Sequence, residues 1–316
     1  MKIVESHYKN LLEAVSFLKL GHLIGVPTET VYGLAADATN DLAVARIYET
    51  KGRPQFNPLI VHVSSIEQAK EYAEFNVLAE KFAEHFWPGP LTLVLPLRMD
   101  SRISKLVTAG LNTVAIRFPA HRVIIELIKE AGFPLAVPSA NPSGFLSPTK
   151  AEHVLAGFNG FQEPKLILEG GSCMIGLEST ILDLTSDQVV LLRAGGIALE
   201  DLLKISDVSR VDSNNEIKAP GMLNQHYSPR KPLRINASEP QNGEAFLAFG
   251  PIDFKGEAKV LNLSPSGNLT EAAANLFSML HELDQSDSQG IAVMPILSEG
   301  LGLAINDRLR RGAQQG

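Results

Sequence analysis

The segment KGRPQFNPL, residues 51–59, sets Lys51 and Arg53 two positions apart on a glycine-proline turn, with Asn57 ahead of a second proline. Reversing a chain needs only Gly, which accepts positive φ, and Pro, which presets its own. Two cations there are either a solvated surface feature or a pair meant for an anion. Other clusters offer partners for such a site. In VPTETVYGLAADA, Thr28, Glu29, Thr30 and Tyr32 crowd a strand end ahead of Gly33. In TVAIRFPAH, Thr113 and Arg117 are four apart, which on a strand points both at one face. An arginine inside an apolar strand is costly to bury alone, so Arg117 should meet a carboxylate or a phosphate. In VPSANPSGFLSPT, Ser139, Asn141, Ser143 and Ser147 sit among prolines and a glycine; such loops wrap an anion with hydroxyls and N–H groups, or serve as plain turns. His62 lies on an apolar strand, as a core histidine or a ligand.

The elements that would position these groups follow from periodicity. Leu11, Val15 and Leu18 recur at helical spacing and stop at Gly21, a C′ residue. Asp41 is placed to cap a second helix running to about Thr50. HLIGVP, PLIVHV, LTLVLPL, TVAIRFP, PLAVP, KLILE, STILDLT and VVLLRAG read as strands, with the helix HRVIIELIKEAG among them. The order predicts a twisted mixed sheet, α/β or α+β, over residues 1–205, a polar linker over 206–232, and a small Rossmann-like α/β domain over 233–316. In that last part FLAFG, KVLNL and GIAVMPIL alternate with a helix carrying Leu276, Leu280 and Leu283 on one face and a last helix ending in RLRR.

Composition narrows the function classes. A net charge of −7 over 316 residues argues against bulk attraction to nucleic acid or an anionic membrane, so any anion site must be local. The single Cys173 excludes an intramolecular disulfide and a cysteine-rich zinc site. The N-terminus lacks the apolar core of a signal peptide, and no run approaches the roughly 20 apolar residues that span a bilayer, so a soluble cytoplasmic protein is expected.

Taken together, PTETVYGL, KGRPQFNPLIVHV, FWPGPLTLVL, TVAIRFPAH and PSANPSG resemble the Sua5/YciO/YrdC family over about residues 8–200. Lys51, Arg53, Ser139 and Asn141 match its distinctive KxR and SxN pair. APGMLNQHYSPRKP resembles the linker of the longer, Sua5-type members, and FLAFGP through AINDRLRRGA their C-terminal domain.

The resemblance implies a YrdC-like catalytic domain and L-threonylcarbamoyladenylate synthase activity. L-threonine, bicarbonate and ATP, with Mg²⁺ on the nucleotide, would give threonylcarbamoyl-AMP and pyrophosphate for the t6A modification of tRNA. It further implies that Arg53, Asn57, Thr113, Ser139, Asn141, Ser147, Arg193 and Tyr227 contact the nucleotide, with Lys51 beside the phosphates and Lys51 and Arg53 carrying catalysis. Thr30, His62, Arg117, the backbone at Val137, and Ser179 would contact threonine. Metal ligands are not assigned. The linker, through His226 and Tyr227, would fold over the site. Expected partners are the downstream t6A transferase machinery, with tRNA met only indirectly or weakly, and no membrane. Two rivals are the carbamoyl-transfer role of related modules in hydrogenase maturation, whose zinc segment one cysteine rules out, and an RNA-binding module, which the net charge disfavours.

Overall fold

A computed structural model describes residues 1–210 and 226–314. Among them, one twisted sheet is built from β1 (Ile3–Glu5), β2 (Ile24–Val26), β3 (Gly33–Asp37), β4 (Ile60–His62), β5 (Leu91–Pro96), β6 (Thr113–Arg117), β7 (Leu135–Ala136), β8 (Leu166–Glu169), β9 (Thr180–Asp183), β10 (Val189–Arg193) and β11 (Val208–Arg210). Their spatial order is β1, β8, β2, β3, β7, β4, β6, β5, β9, β10, β11. The β4/β6 and β5/β9 pairs are parallel, whereas β3/β7, β4/β7 and β5/β6 are antiparallel. The sheet is therefore mixed, as expected.

Helices cover both faces, which is why central strands such as LTLVLP are almost continuously apolar. Alternation along β3 shows the two layers: Leu34 and Ala36 join Val44, Ile47, Phe82, Leu93 and Ile116 on one side. Ala35 joins Leu11, Val15, Leu18, Leu127 and Ile128 on the other. Helix Tyr8–Lys19 buries the predicted Leu11, Val15 and Leu18, and Gly21 follows at φ 76°. The second helix, Asp41–Lys51, is capped by Asn40, whose side chain accepts from the N–H groups of Leu42 and Ala43; Asp41 is instead its first residue. An acid there still favours the positive end of the helix dipole.

The smaller sheet consists of β12 (Leu233–Arg234), β13 (Glu244–Ala248), β14 (Val260–Asn262) and β15 (Gly290–Val293), all parallel, in the order β12, β15, β13, β14. Helix Leu269–Asp284 connects β14 to β15 and buries Leu276, Leu280 and Leu283. This is the Rossmann-like unit read from the strand and helix alternation.

The boundary at residue 205 shifts, because Val208–Arg210 pair with β10 as the edge strand of the large sheet. Of the expected 206–232 linker, residues 211–225 lie outside the described residues. The two parts share one apolar cluster: Val31, Leu146 and Leu177 pack with Leu276, Phe277, Leu280 and Ile305. Gly176 permits this approach, since a Cβ there would lie 2.4 Å from the Ala273 carbonyl oxygen. Among the described residues, no helix is long and apolar enough to cross a membrane.

Candidate active site

A cleft opens where several strand ends meet. The parallel register of β4 with β6 places His62 beside Arg117, each the last residue of its strand. Ligands of open α/β sheets collect outside such carboxyl ends. The turn before β3 contributes Thr28, Thr30 and Val31, and the segment after β7 contributes Val137, Pro138 and Ser139. Glu178 and Ser179 arrive just before β9, Arg193 ends β10, Arg53 comes from the opening turn, and His226 and Tyr227 come from the linker.

Arg117 finds the partner that its burial demanded. It donates from Nη2 to Glu29 Oε1 at 2.5 Å, from Nη1 to Thr30 Oγ1 at 3.0 Å and from Nε to Gly89 O at 3.1 Å. Thr30 Oγ1 also lies 2.8 Å from Thr28 Oγ1, whose neighbours within its own turn fix both hydroxyls. His62 is 2% exposed, and its Nδ1 lies 3.3 Å from Ile60 O. A carbonyl can only accept, so Nδ1 carries the proton and Nε2 keeps a lone pair. Burial, reinforced by Arg117, pushes its pKa well below the usual imidazole value, so the ring is neutral.

Arg53 is held against its own turn, donating from Nε to Asn57 O at 3.2 Å and from Nη2 to Pro58 O at 2.9 Å. Burial lowers its pKa to about 10, which leaves it charged at neutral pH. Arg193 donates from Nη2 to Ser179 O at 2.9 Å and to Ser179 Oγ at 3.1 Å. Ser179 Oγ sits 2.7 Å from Thr92 Oγ1. Opposite these cations stands Glu178. Burial alone would raise its pKa, but Arg308 and then Arg193 hold it down at about 2.

The cleft thus gathers Thr28, Thr30, Arg53, His62, Arg117, Val137, Ser139, Ser179, Arg193, His226 and Tyr227 of the residues singled out in the sequence. The others lie elsewhere in this conformation. Lys51 is buried beside the cleft, and its ammonium donates to the carbonyls of Ser139 and Asn141, each at 2.5 Å. It braces the loop bearing Ser139. Burial, with Arg53 nearby, pushes its pKa well below that of an ordinary lysine. Thr113 begins β6 where Arg117 ends it, so the two share a face but stand about 13 Å apart at 3.3 Å per residue. Asn57 and Asn141 are buried close by, each with a side-chain oxygen that lacks a hydrogen-bond partner. Ser147 donates to Glu178 Oε1 at 2.5 Å. Tyr32 belongs to the core, where its hydroxyl donates to Gly171 O at 2.9 Å.

Two residues of the site were not legible as such. Glu178 adjoins Ser179, and an acid next to a candidate serine was the available signal. Arg308 comes from the last helix, Gly302–Ala313, and donates from Nε to Glu178 Oε2 at 2.8 Å. His226 and Tyr227 line the cleft. Tyr227 is 2% exposed, its ring centre lies 4.0 Å from that of His226, and Ser228 N donates to Gly144 O at 2.8 Å. The remaining cavity volume is about 50 Å³. That is room for a water molecule or two, far below the 300 Å³ or so of a small-molecule site.

Residues 16–195 match the family model Sua5_yciO_yrdC, described as telomere recombination, and residues 197–314 match the model described as threonylcarbamoyl-AMP synthase, C-terminal domain. The threonylcarbamoyl-AMP synthase of Pyrococcus abyssi is 40% identical, over 95% of this chain and 93% of that protein. The threonylcarbamoyl-AMP synthase of Bacillus subtilis is 38% identical, over 96% of this chain and 92% of that protein. The crystal structure of P. abyssi Sua5 complexed with L-threonine superimposes with a TM-score of 0.89 at 38% identity, covering 99% of this chain and 97% of that one. On these matches, which run through both sheets, the chain belongs to the Sua5/YciO/YrdC family in its two-domain form.

Proposed function

We propose that the protein is an L-threonylcarbamoyladenylate synthase that uses L-threonine, bicarbonate and ATP to make threonylcarbamoyl-AMP and pyrophosphate. One observation carries this reading. The guanidinium groups of Arg53, Arg117 and Arg193 and the neutral imidazole of His62 line one cleft in a chain of net charge −7. The names of the relatives and the threonine in the P. abyssi structure support threonine and ATP as substrates.

Bicarbonate and the threonine amine condense to a carbamate with loss of water. A carbamate oxygen then attacks the α-phosphorus of ATP, and the bond to the β,γ-pyrophosphate breaks. Both partners are anions, so the protein's task is to place them and offset their charge. Arg117, aimed by Glu29, Thr30 and Gly89, presents its remaining donors to the threonine carboxylate. His62 Nε2 accepts the hydroxyl hydrogen of threonine. Arg53 and Arg193 hold phosphate oxygens, and the loop braced by Lys51 brings in Ser139. Among the described lining residues Glu178 is the acid, and both its oxygens are engaged, by Ser147 and Arg308. That donor set suits Mg²⁺ bound through phosphate oxygens and water better than a dedicated protein cage.

The mixed anhydride product is labile to water. With so little open volume in the cleft, nucleotide entry requires His226 and Tyr227 to move away, and their return shields the product. The product then goes to the transferase machinery that forms t6A, and tRNA need not touch this protein. The protein acts in the cytoplasm, where these substrates meet.

The test is incubation of the purified protein with ATP, Mg²⁺, bicarbonate and labelled threonine. Pyrophosphate release should require both threonine and bicarbonate. ATP hydrolysis indifferent to threonine would remove the assignment.

A further inference from the structure

The cleft wall contains an anion where a polyphosphate is to bind. Glu178 is buried at 6% exposure and lines the cleft with Arg53, Arg117 and Arg193. Left alone, its carboxylate would repel the nucleotide and compete for Arg193. It is not left alone, and its main partner comes from the other domain. Arg308, 2% exposed, donates from Nε to Glu178 Oε2 at 2.8 Å, from Nη2 to Ala194 O at 2.9 Å and from Nη1 to Asp307 Oδ2 at 2.7 Å. Ser147 takes the other carboxylate oxygen at 2.5 Å. A second contact from the C-terminal domain reaches the same place, since His281 Nε2 lies 3.1 Å from Ser147 O.

We propose that Arg308 is a positioning residue for the nucleotide site: it neutralises Glu178 and thereby keeps Arg193 for the polyphosphate. The proposal rests on the nucleotide reading of the cleft and extends it by giving the C-terminal domain a part in that site. Arg308 does not touch substrate. Its guanidinium is planar and reaches two carboxylates, one backbone carbonyl and the Tyr227 ring at once, which a lysine ammonium reproduces only in charge.

Without Arg308, Glu178 keeps only the Ser147 hydroxyl, and its buried charge turns to Arg193, which lines the same cleft and already lowers its pKa. Nucleotide affinity falls, while threonine, held by Arg117, Thr30 and His62, keeps its own. Loss of one charge-assisted hydrogen bond corresponds to a change of about 10- to 100-fold.

The experiment measures binding of a non-hydrolysable ATP analogue and of threonine, separately, by calorimetry on the full-length protein. Arg308→Met should weaken analogue binding by about 10- to 100-fold and leave threonine binding within about twofold. Adding Glu178→Gln to Arg308→Met should restore much of the lost affinity, because the charge that competes for Arg193 is gone. Arg308→Lys should fall between the two. Arg308→Met with unchanged analogue affinity overturns the proposal, as does a double variant no better than the single. Should Arg308→Met fail to fold, Arg308→Lys with and without Glu178→Gln gives the same comparison. These readouts need no turnover, so a wild-type protein that binds the analogue but releases no threonine-dependent pyrophosphate would refute the synthase reading and leave this one standing.

Discussion

The guanidinium carbon of Arg308 lies 4.9 Å from the centre of the Tyr227 ring, so an arginine of the C-terminal domain faces an aromatic residue that lines the cleft. Phe277 flanks the same ring at 5.8 Å. Tyr227 holds this place at φ 66°, a left-handed conformation that costs a non-glycine residue about 1–2 kcal/mol. Contacts must offset that cost, and the cation–π geometry is one of them. Such strain persists only while the surrounding contacts hold the residue in place.

Tyr227→Ala should therefore loosen the closure, whereas Tyr227→Phe keeps the ring. In a single-turnover assay the alanine variant should release pyrophosphate while yielding less intact threonylcarbamoyl-AMP, the rest being hydrolysed. Phenylalanine should partition like the wild type. Equal partition in all three proteins would mean that Tyr227 does not shield the product.

Glu29 and Arg117 form a buried pair at 2.5 Å, with side-chain exposures of 5% and 4%. Removing one member of such a pair typically costs about 3–5 kcal/mol, because the other charge stays behind. Glu29→Ala should lose stability of that order in a urea titration. The milder Glu29→Gln keeps a hydrogen-bond acceptor, and should raise KM for threonine while leaving KM for ATP unchanged. A matched rise in both constants would show that Glu29 does more than aim Arg117.

Lys51 braces the carbonyls of Ser139 and Asn141, and a buried acceptor that loses its donor costs about 1–3 kcal/mol. Lys51→Met should therefore displace the Ser139 loop, with lower stability and a raised KM for ATP. Lys51→Arg should not rescue it, since the larger planar group does not fit between two carbonyls in a fully packed site. Rescue by arginine would instead indicate that positive charge near the phosphates is what matters.

The fate of Lys51 shows where sequence reasoning reached its limit. Lys51 and Arg53 are neighbours in the motif, but Lys51 is the last helical residue and Gly52 follows at φ 60°, so the chain reverses between them. One side chain turns into the loop, the other into the cleft. Strands rich in β-branched residues were legible, among them β4, β6 and β15, because burial on two faces leaves a continuous apolar run. β3 was missed because GLAAD has the composition of no particular element, and β12 because two residues carry no period. The need of Arg117 for an acid was legible from burial cost, though not which acid. The Arg308 to Glu178 contact joins positions 130 residues apart, and no local pattern encodes a meeting between domains.

The stacked histidines His153 and His281, ring centres 4.0 Å apart, make the domain contact sensitive to acid. Thr149 N donates to His153 Nδ1 at 3.2 Å, Lys150 adds positive charge near His153, and Asp284 faces His281 without reversing the shift. Burial lowers both pKa values, that of His153 to about 3. The folded protein then binds fewer protons than the unfolded chain wherever free histidine titrates, so stability is fully present above about pH 6.5 and falls as pH drops toward 3. His62, His121 and His226 shift in the same direction. The melting temperature should decline from pH 7 to pH 5, and His153→Phe should make that decline shallower without abolishing it. An unchanged slope in the variant would take His153 out of the linkage.

His62 also allows a prediction about substrate choice. Its neutral ring keeps a lone pair on Nε2, and a site that hydrogen-bonds a hydroxyl rejects an analogue lacking it because the buried polar atom is then left unpaired. Serine keeps the hydroxyl and loses one methyl, so kcat/KM for serine should fall only about 10- to 200-fold below that for threonine. 2-Aminobutyrate keeps a methyl group and loses the hydroxyl, and should fall by about 10⁴-fold or more. His62→Phe removes the acceptor while preserving an aromatic ring on β4, so it should compress the preference for threonine over 2-aminobutyrate far more than that over serine. If the variant compresses both ratios equally, His62 is not the group that reads the hydroxyl.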